Sequence, residues 1–380
     1  MTTQRRATRS TAVVTVALAY ALQGLGYAVI VTALPSFKDR TGIGDTTVSA
    51  VLLGVCVTAA LGSLLADLVA VRRSSRHGVL LGFAVQAVAL VVVAFAPGLA
   101  LFVAAVLAYG LGLGVVDAAS NMQGVLVQRG LETPLLGRFY AAYTTATIAG
   151  ALAMSGAIAT GGGATVALLL AAGAQLVLVA LAGARLDPSR AAHAAHDEPA
   201  DRTPLNRRAI VVVGLVVLAA FTVDSAVSSW STVHLDGLGA AAALAPLGYV
   251  AYQGGVLLAR LATDRLVRRS GPATVMSAAL VAGVLGGLVV AFVPGPGAAI
   301  AGFTLSGLAV GALVPIAFGL AGRIEPGRSD EVVARVNLFN YAGAVLGAVG
   351  VGLVIGTPLA FLLPVVLLAT AIPALRTVRR

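Results

Sequence analysis

The chain has 380 residues, of which 59% are hydrophobic and only 11% are charged, and its mean hydropathy is +0.97. Soluble domains carry about 25% charged residues, so this composition excludes an ordinary soluble protein and indicates a bundle of membrane helices. The net charge of +10 does not point to nucleic-acid binding, because the arginines are confined to short segments between apolar runs.

Twelve apolar runs, each of a length suited to a membrane helix, follow one another along the chain. Six lie at 11–34, 45–69, 78–96, 99–127, 135–160 and 164–184. Six more lie at 208–233, 240–263, 273–293, 298–320, 332–354 and 358–375. We therefore expect an all-α integral membrane protein with a six-helix half at 1–184, a linker loop at 185–207 and a second six-helix half at 208–380.

The cationic residues predict the orientation of these spans, because Lys and Arg are enriched in cytoplasmic loops. Of the 25 cationic residues, only Lys38 and Arg40 fall on the side opposite the N-terminal tail. We therefore expect both termini and the linker to be cytoplasmic. His193 and His196 in the linker have a metal-like spacing, but the segment is polar and contains proline, so we expect no metal site and no cofactor.

The two halves are related by an internal repeat with an offset of 197 residues. Residues in loops and helices recur together: Asp67 with Asp264, Arg72 with Arg269, Gly110 with Gly307, and Gly114 with Gly311. Six spans separate the members of each pair, so both halves have the same orientation in the membrane. The repeat predicts two pseudo-twofold halves about an axis along the membrane normal.

Asp117 departs from the repeat, since its counterpart is Val314. It precedes Arg129 by twelve residues, about 18 Å along a helix, which places it near the middle of a hydrocarbon core about 30 Å thick. A carboxyl at that depth is costly and usually functional. We expect Asp117 to carry a proton, with Asn121 one turn away on the same face. The alternative is a protonated acid that only holds neighbouring helices together.

Asp224 is a second acid at membrane depth, about 24 Å along a helix from Arg208. It shares a helix face with Ser228. We expect Asp224 to be a second proton carrier or a substrate ligand, and Ser228 to contact substrate. Trp230 lies near the outer end of the same span, as a ring for stacking a ligand or as an anchor in the interfacial aromatic belt.

Two loops resemble the loop 2–3 signature of the major facilitator superfamily, which reads roughly G-x-L-A-D-R-x-G-R-R. The first runs from Ser63 to Arg73 and keeps the Leu-Ala-Asp core, with Leu68 in place of the signature arginine. The second runs from Arg260 to Arg269 and keeps the Asp-Arg pair. This resemblance implies the twelve-helix major facilitator fold, with a central cavity and alternating access.

Within that superfamily, residues 117–124 and 229–236 resemble the fucose-permease-like bacterial branch. This resemblance implies a multi-pass protein of a bacterial cytoplasmic membrane that binds a neutral, sugar-like solute and protons. The arginine signature of proton-driven antiporters is missing, because Val106 and Ala108 occupy its possible positions. The fifth span also has no Gly-Pro motif at 148–152, which further weakens an antiporter interpretation.

The superfamily lines its cavity with the first, fourth, seventh and tenth spans. The resemblance therefore implies that the polar residues of the first span, Tyr20, Gln23 and Tyr27, face Asp117. Similar substrate-binding candidates in the fifth and eleventh spans are Tyr143, Asn337 and Asn340. Tyr252 and Gln253 in the eighth span are weaker candidates. For each of these residues the alternative is a hydrogen bond that only joins helices.

The charged residues of the two signature loops are candidate conformational latches: Asp67, Arg72, Arg73, Asp264, Arg265 and Arg269. Each acid can pair with a nearby arginine, or cap the helix that begins near Arg138 or Arg335, where the helix dipole favours an anion. Breaking such contacts would allow one half to rock. The alternative is that these charges only mark topology.

The sequence therefore predicts a monomeric secondary transporter whose partners are the lipid bilayer, a small polar solute and protons. Two other functions remain open. One is a proton-driven exporter of a hydrophobic drug or metabolite, which an apolar cavity would suit. The other is a membrane receptor or scaffold that does not transport. We do not expect an enzyme, because no nucleophile–base set or metal cluster occurs at membrane depth.

Overall fold

The structure, a computed structural model, describes residues 2–131, 135–188, 205–325, 329–357 and 359–374. Most of the predicted linker, including His193 and His196, lies outside these residues. The chain forms two compact units. The first contains Met1–Ile43 and Ala50–Asp197, and the second contains Gly44–Ser49 and Glu198–Arg380.

The described residues are nearly all helical. The helices up to the linker are α1 (Thr2–Thr32), α2 (Leu34–Thr41), α3 (Asp45–Arg72), α4 (Ser75–Phe95), α5 (Leu99–Leu131), α6 (Leu136–Ala159) and α7 (Gly163–Ala182). Those after it are α8 (Arg207–Gly237), α9 (Leu247–Ser270), α10 (Pro272–Phe292), α11 (Pro296–Ile324), α12 (Ser329–Val345) and α13 (Leu362–Ala374). A π-helical segment, Leu346–Gly350, and a 3-10 helix, Gly352–Val354, continue α12.

Within the described residues, ten helices are long and apolar enough to cross a membrane. The charged α9 and the shorter α13 account for the other two predicted spans, so each of the twelve has its helix. The eighth span begins later than predicted, at Leu247 rather than near residue 240. Pro246 immediately precedes it, and the fixed φ of proline suits the start of a helix. The short helix α2 was not predicted.

Glycines hold matching pairs of helices close together in the two units. In the first unit Gly110 lies against Val55, and in the second Gly307 lies against Tyr252, which is the repeat counterpart of Val55. A Cβ atom on either glycine would collide with the facing helix, so close packing requires glycine at both positions. The repeat seen in the sequence is therefore confirmed by equivalent helix contacts, α3 with α5 and α9 with α11.

Arg40, one of the two cations on the opposite side from the tail, caps a helix in the first unit. Its guanidinium donates to the carbonyl oxygens of Ala94 at 2.8 Å and Val93 at 2.6 Å, at the end of α4. It also lies 5.7 Å from the ring centre of Phe37 and 6.0 Å from that of Phe102. The last carbonyls of a helix have no partner within it and attract a cation. This cap explains why a cation is kept here against the charge pattern.

We expect Arg40→Ala to lower the free energy of unfolding by about 1–2 kcal/mol, because two charge-assisted hydrogen bonds are lost at a partly exposed position. The measurement is the apparent melting temperature of the purified protein, which should fall. The matched control is Arg268→Ala, which removes an exposed arginine from the last turn of α9. Equal melting temperatures for the two variants would contradict the cap.

Candidate functional site

Four polar side chains meet in the first unit, and we call Tyr20, Asp117, Asn121 and Tyr140 the Asn121 cluster. The hydroxyls of Tyr20 and Tyr140 both donate to Oδ1 of Asn121, at 2.6 and 2.9 Å. The Asn121 amide nitrogen donates to the backbone carbonyl of Asp117 at 2.9 Å. The two phenol rings are edge to face with centroids 5.3 Å apart. The cluster thus joins helices α1, α5 and α6.

The carboxyl of Asp117 belongs to this polar surface and is exposed. It projects from the same face of α5 as Asn121 and interacts electrostatically with Tyr20. Between residues 105 and 128 of α5, Asp117 is the one exposed residue. Asp117 lies well inside the candidate membrane span Leu99–Gln128, so its depth in the membrane stays a prediction.

The exposure of Asp117 does not resemble that of a lipid-facing helix. Such a helix exposes apolar side chains every three or four residues along one stripe. Helix α7 has this pattern, with exposed fractions of 65% at Leu170, 58% at Val177 and 52% at Leu181. Asp117 instead lies one turn from the Asn121 amide and interacts electrostatically with the Tyr20 phenol. The carboxyl therefore opens onto a polar surface of the first unit.

Gln23 does not belong to this surface, so the expectation that it faces Asp117 is wrong. It is buried and donates to the Leu113 carbonyl at 3.2 Å, and its Oε1 accepts from Gln86 at 2.9 Å. Gln175 donates in turn to Gln86 at 3.0 Å. These three amides form a glutamine ladder through the interior of the first unit, where most buried polar groups find partners within the protein. The Gln175 Oε1 at the end of the ladder has no partner among the described residues.

Tyr27 and Tyr143 are half-buried and take no part in the hydrogen bonds that define the Asn121 cluster. Tyr143 packs against a hydrophobic core that includes Tyr20 and Phe139. Phe139 stacks on the Tyr20 ring with centroids 5.5 Å apart. Tyr143 therefore supports the back of the cluster.

The second unit holds its own acid in a different way. Tyr252, which is fully buried on α9, donates its hydroxyl to Asp224 Oδ1 at 2.7 Å. Arg260, two turns further along the same face of α9, interacts electrostatically with this carboxyl. Gln253 donates to the Tyr249 hydroxyl at 2.8 Å. The candidates Asp224 and Tyr252 are thus brought together, and Arg260 is a neighbour that sequence reasoning missed.

The structure contradicts both predicted roles of Trp230. Its ring is fully buried in the second unit, and Nε1 donates to the Ala348 carbonyl at 2.8 Å. A ring enclosed in this way neither stacks on a solute nor anchors in the interface in this conformation. Ser228 is also buried, and its hydroxyl has no hydrogen-bond partner among the described residues.

Asn337 and Asn340 are half-buried on α12 and bonded to one another, with the Asn340 amide donating to Asn337 Oδ1 at 3.1 Å. The two predicted substrate ligands thus form a pair within one helix. Each amide keeps further donors and acceptors that a solute could reach.

Sequence similarity identifies the family of this chain. The sequence profile of the Major Facilitator Superfamily matches residues 16–298. The chain belongs to this superfamily. An uncharacterized MFS-type transporter of Yersinia pestis is 26% identical over 338 residues, which cover 89% of this chain and 87% of that protein.

Solved transporters of the superfamily share the fold. The nucleoside transporter NupG superposes with a TM-score of 0.72 at 16% identity, covering 96% of this chain and 98% of that one. The MFS transporter FucP, in its outward conformation, superposes with a TM-score of 0.63 at 14% identity, covering 96% and 98%. The chain is therefore a multi-pass membrane protein with the major facilitator fold.

The signature loops of the superfamily differ from our expectation at one point. Asp67 is exposed, and within the described part of the chain it makes no ion pair with the exposed Arg72 or Arg73. The first backbone amides of α6 are instead capped by Gln128, whose Oε1 accepts from Leu135 at 3.0 Å and Leu136 at 3.4 Å. In this structure Gln128, rather than Asp67, accepts from these two amides.

The second signature loop contains Arg265 and Arg269, which are both exposed. The side chain of Asp264 lies outside the described part of the structure. The latch roles of both loops therefore stay predictions.

We expect Gln86→Leu to lower the free energy of unfolding of this transporter by about 2–4 kcal/mol, more than an ordinary surface change does. The change leaves Gln23 Oε1 and the Gln175 amide nitrogen buried without partners, and each such orphan costs about 1–3 kcal/mol. The measurement is the apparent melting temperature in detergent.

The control for this prediction is the triple variant Gln23→Leu, Gln86→Leu and Gln175→Leu, which removes the ladder and its orphans together. We expect the triple variant to lose less stability per substitution than Gln86→Leu alone, because no amide is stranded. Simple additivity of the three changes would contradict a connected ladder.

Proposed function

We propose that this protein is a secondary active transporter that takes up a small, neutral, polar solute together with protons. Asp117 is the main proton carrier, and Asp224 is a second carrier or a substrate ligand. The observation that supports this proposal is the exposed carboxyl of Asp117 at membrane depth, beside the hydroxyl and amide groups of the Asn121 cluster.

A carboxyl in this position can exchange a proton when its hydration changes. Loss of water favours the neutral acid, and return of water favours the carboxylate. Alternating access alters the hydration of such a group in every cycle. The Tyr20 hydroxyl interacts electrostatically with the same carboxyl and shares Asn121 Oδ1 with the Tyr140 hydroxyl. A solute bound at these groups is therefore sensitive to the protonation state of Asp117. This proximity is what coupling between a solute and a proton requires.

The character of the solute follows from the groups around the acid. The cluster offers phenols and an amide, with no fixed cation among its four residues. Such a surface suits a neutral polar molecule better than an anion. NupG is a nucleoside transporter and has the same fold, which is compatible with a sugar-bearing solute here. We place the protein in a bacterial cytoplasmic membrane with both termini in the cytoplasm, following the cation distribution.

The test uses proteoliposomes with an imposed pH gradient. A melting-temperature screen at two pH values, against sugars, polyols, nucleosides, amino acids and drugs, first identifies a solute that binds. We expect that solute to accumulate against its gradient in wild-type vesicles, and we expect Asp117→Asn to abolish this accumulation. Counterflow exchange should persist in the variant, because exchange does not require proton release.

The matched control is Asp39→Asn, which changes an exposed acid on the short helix α2 and should accumulate solute as the wild type does. Wild-type accumulation by Asp117→Asn would overturn the coupling role. Export of the solute as protons enter would instead favour the exporter, and saturable binding without counterflow would favour a receptor.

A further inference from the structure

We propose that Asn121 is a positioning residue that fixes the hydrogen-bond polarity of the solute site, so that the site selects solutes by the hydrogens they donate. This inference rests on the proposed function, since it concerns the solute that the Asn121 cluster binds. It assigns to Asn121 a role in specificity that does not depend on its own contact with the solute.

The backbone carbonyl of Asp117 sets the orientation of the Asn121 amide. Its nitrogen lies 2.9 Å from the backbone carbonyl of Asp117, and carbonyl oxygens only accept hydrogen bonds. The flipped amide would place two acceptors against each other. The carbonyl side of Asn121 must therefore face Tyr20 and Tyr140, as the structure has it.

The orientation of Asn121 in turn directs the hydrogens of the two phenols. Each phenol carries a single hydrogen, and the hydrogens of Tyr20 and Tyr140 both point to Asn121 Oδ1, at 2.6 and 2.9 Å. The edge-to-face packing of the rings lets both hydroxyls converge on one oxygen. Toward a solute these phenols can then only accept hydrogen bonds. Asn121 thus turns two hydroxyls that could donate or accept into acceptors.

The carboxyl of Asp117 completes the cluster. As a carboxylate it is an acceptor, and as a neutral acid it keeps its carbonyl oxygen as an acceptor. Apart from one hydrogen of the Asn121 amide and the proton of the neutral acid, the cluster offers acceptors in both protonation states. A solute that presents adjacent hydroxyl groups fits this polarity whether or not the proton is bound, as a symporter requires.

Two other classes of solute fit less well. Ethers, esters and carboxylates present acceptors to acceptors and leave buried lone pairs unmatched. An ammonium group matches the acceptors, but it favours the charged form of Asp117 and would compete with the proton rather than accompany it. The polarity set by Asn121 therefore selects neutral polyhydroxy solutes.

The experiment measures binding to the purified full-length protein by melting temperature and by equilibrium titration. The probes are D-ribose, D-galactose and myo-inositol, each beside its fully O-methylated ether, with putrescine as a diamine. For the wild type we expect at least one hydroxylated probe to bind more than tenfold more tightly than its ether. Failure of every hydroxylated probe to bind at millimolar concentration would overturn the inference.

The decisive variant is Asn121→Ala, which releases the phenol hydrogens of Tyr20 and Tyr140 to donate. We expect the preference for the hydroxylated probe to fall by about tenfold, partly because the ether gains affinity, since one hydrogen bond is worth about a factor of ten. A residue that only supports the fold would lose both ligands together. Unchanged preference in Asn121→Ala contradicts the inference.

Two tyrosine variants complete the test. Tyr140→Phe removes one acceptor and should weaken the hydroxylated probe without improving the ether. Tyr109→Phe is the matched control, because the same atom is lost from a buried hydroxyl that has no partner among the described residues. It should bind both probes as the wild type does.

The inference and the proposed function fail separately. If a hydroxylated probe binds with the expected preference but no vesicle accumulates it with protons, the proposed coupling is wrong and the polarity stands. If the transported solute and its ether bind equally, the polarity is wrong and the coupling stands. If putrescine binds best and protons leave as it enters, both are wrong.

Discussion

The constraint on which this structure depends is that a polar group inside a membrane protein must find its partner within the protein. The first unit meets this constraint in two ways. Its glutamine ladder pairs amide with amide in the interior, and Arg40 pairs with the open carbonyls at the end of α4. The Asn121 cluster satisfies its phenols and amide similarly but leaves a carboxyl exposed. We propose that solvent and solute act on the unit through this exposed acid.

The two units meet the same constraint with different chemistry, although they descend from one repeat. At the offset of 197 residues, Gln86 of the ladder corresponds to Gly283. Gly283 lines a small, mainly apolar cavity in the second unit. Asp224 corresponds in turn to Tyr27 of the first unit. The two units therefore share equivalent helix contacts but enclose different polar groups.

The sequence predicted the helices well because their signal is physical and local. A run of apolar residues of membrane length has few other structures open to it, and glycines at matching positions required close helix packing. The two acids were also predictable, since charge at membrane depth is rare. The partners of Gln23 could not be foreseen, because an amide facing a cavity and an amide facing another buried amide look alike in one sequence. The burial of Trp230 could not be foreseen for the same reason. It depends on residues distant in sequence, such as Ala348, whose carbonyl accepts from the ring nitrogen.

The acids of the two units are held by different groups. Asp224 accepts a hydrogen bond from Tyr252, and Arg260 interacts electrostatically with the same carboxyl. In the Asn121 cluster the phenol hydrogens go to Asn121, so the carboxyl of Asp117 has neither a phenol donor nor a cation of that kind. Of the two acids, Asp117 is thus the exposed one, and its carboxyl receives no phenol hydrogen within its cluster. We propose that Asn121, by directing the phenol hydrogens away from Asp117, both sets the polarity of the site and leaves the acid open to proton exchange.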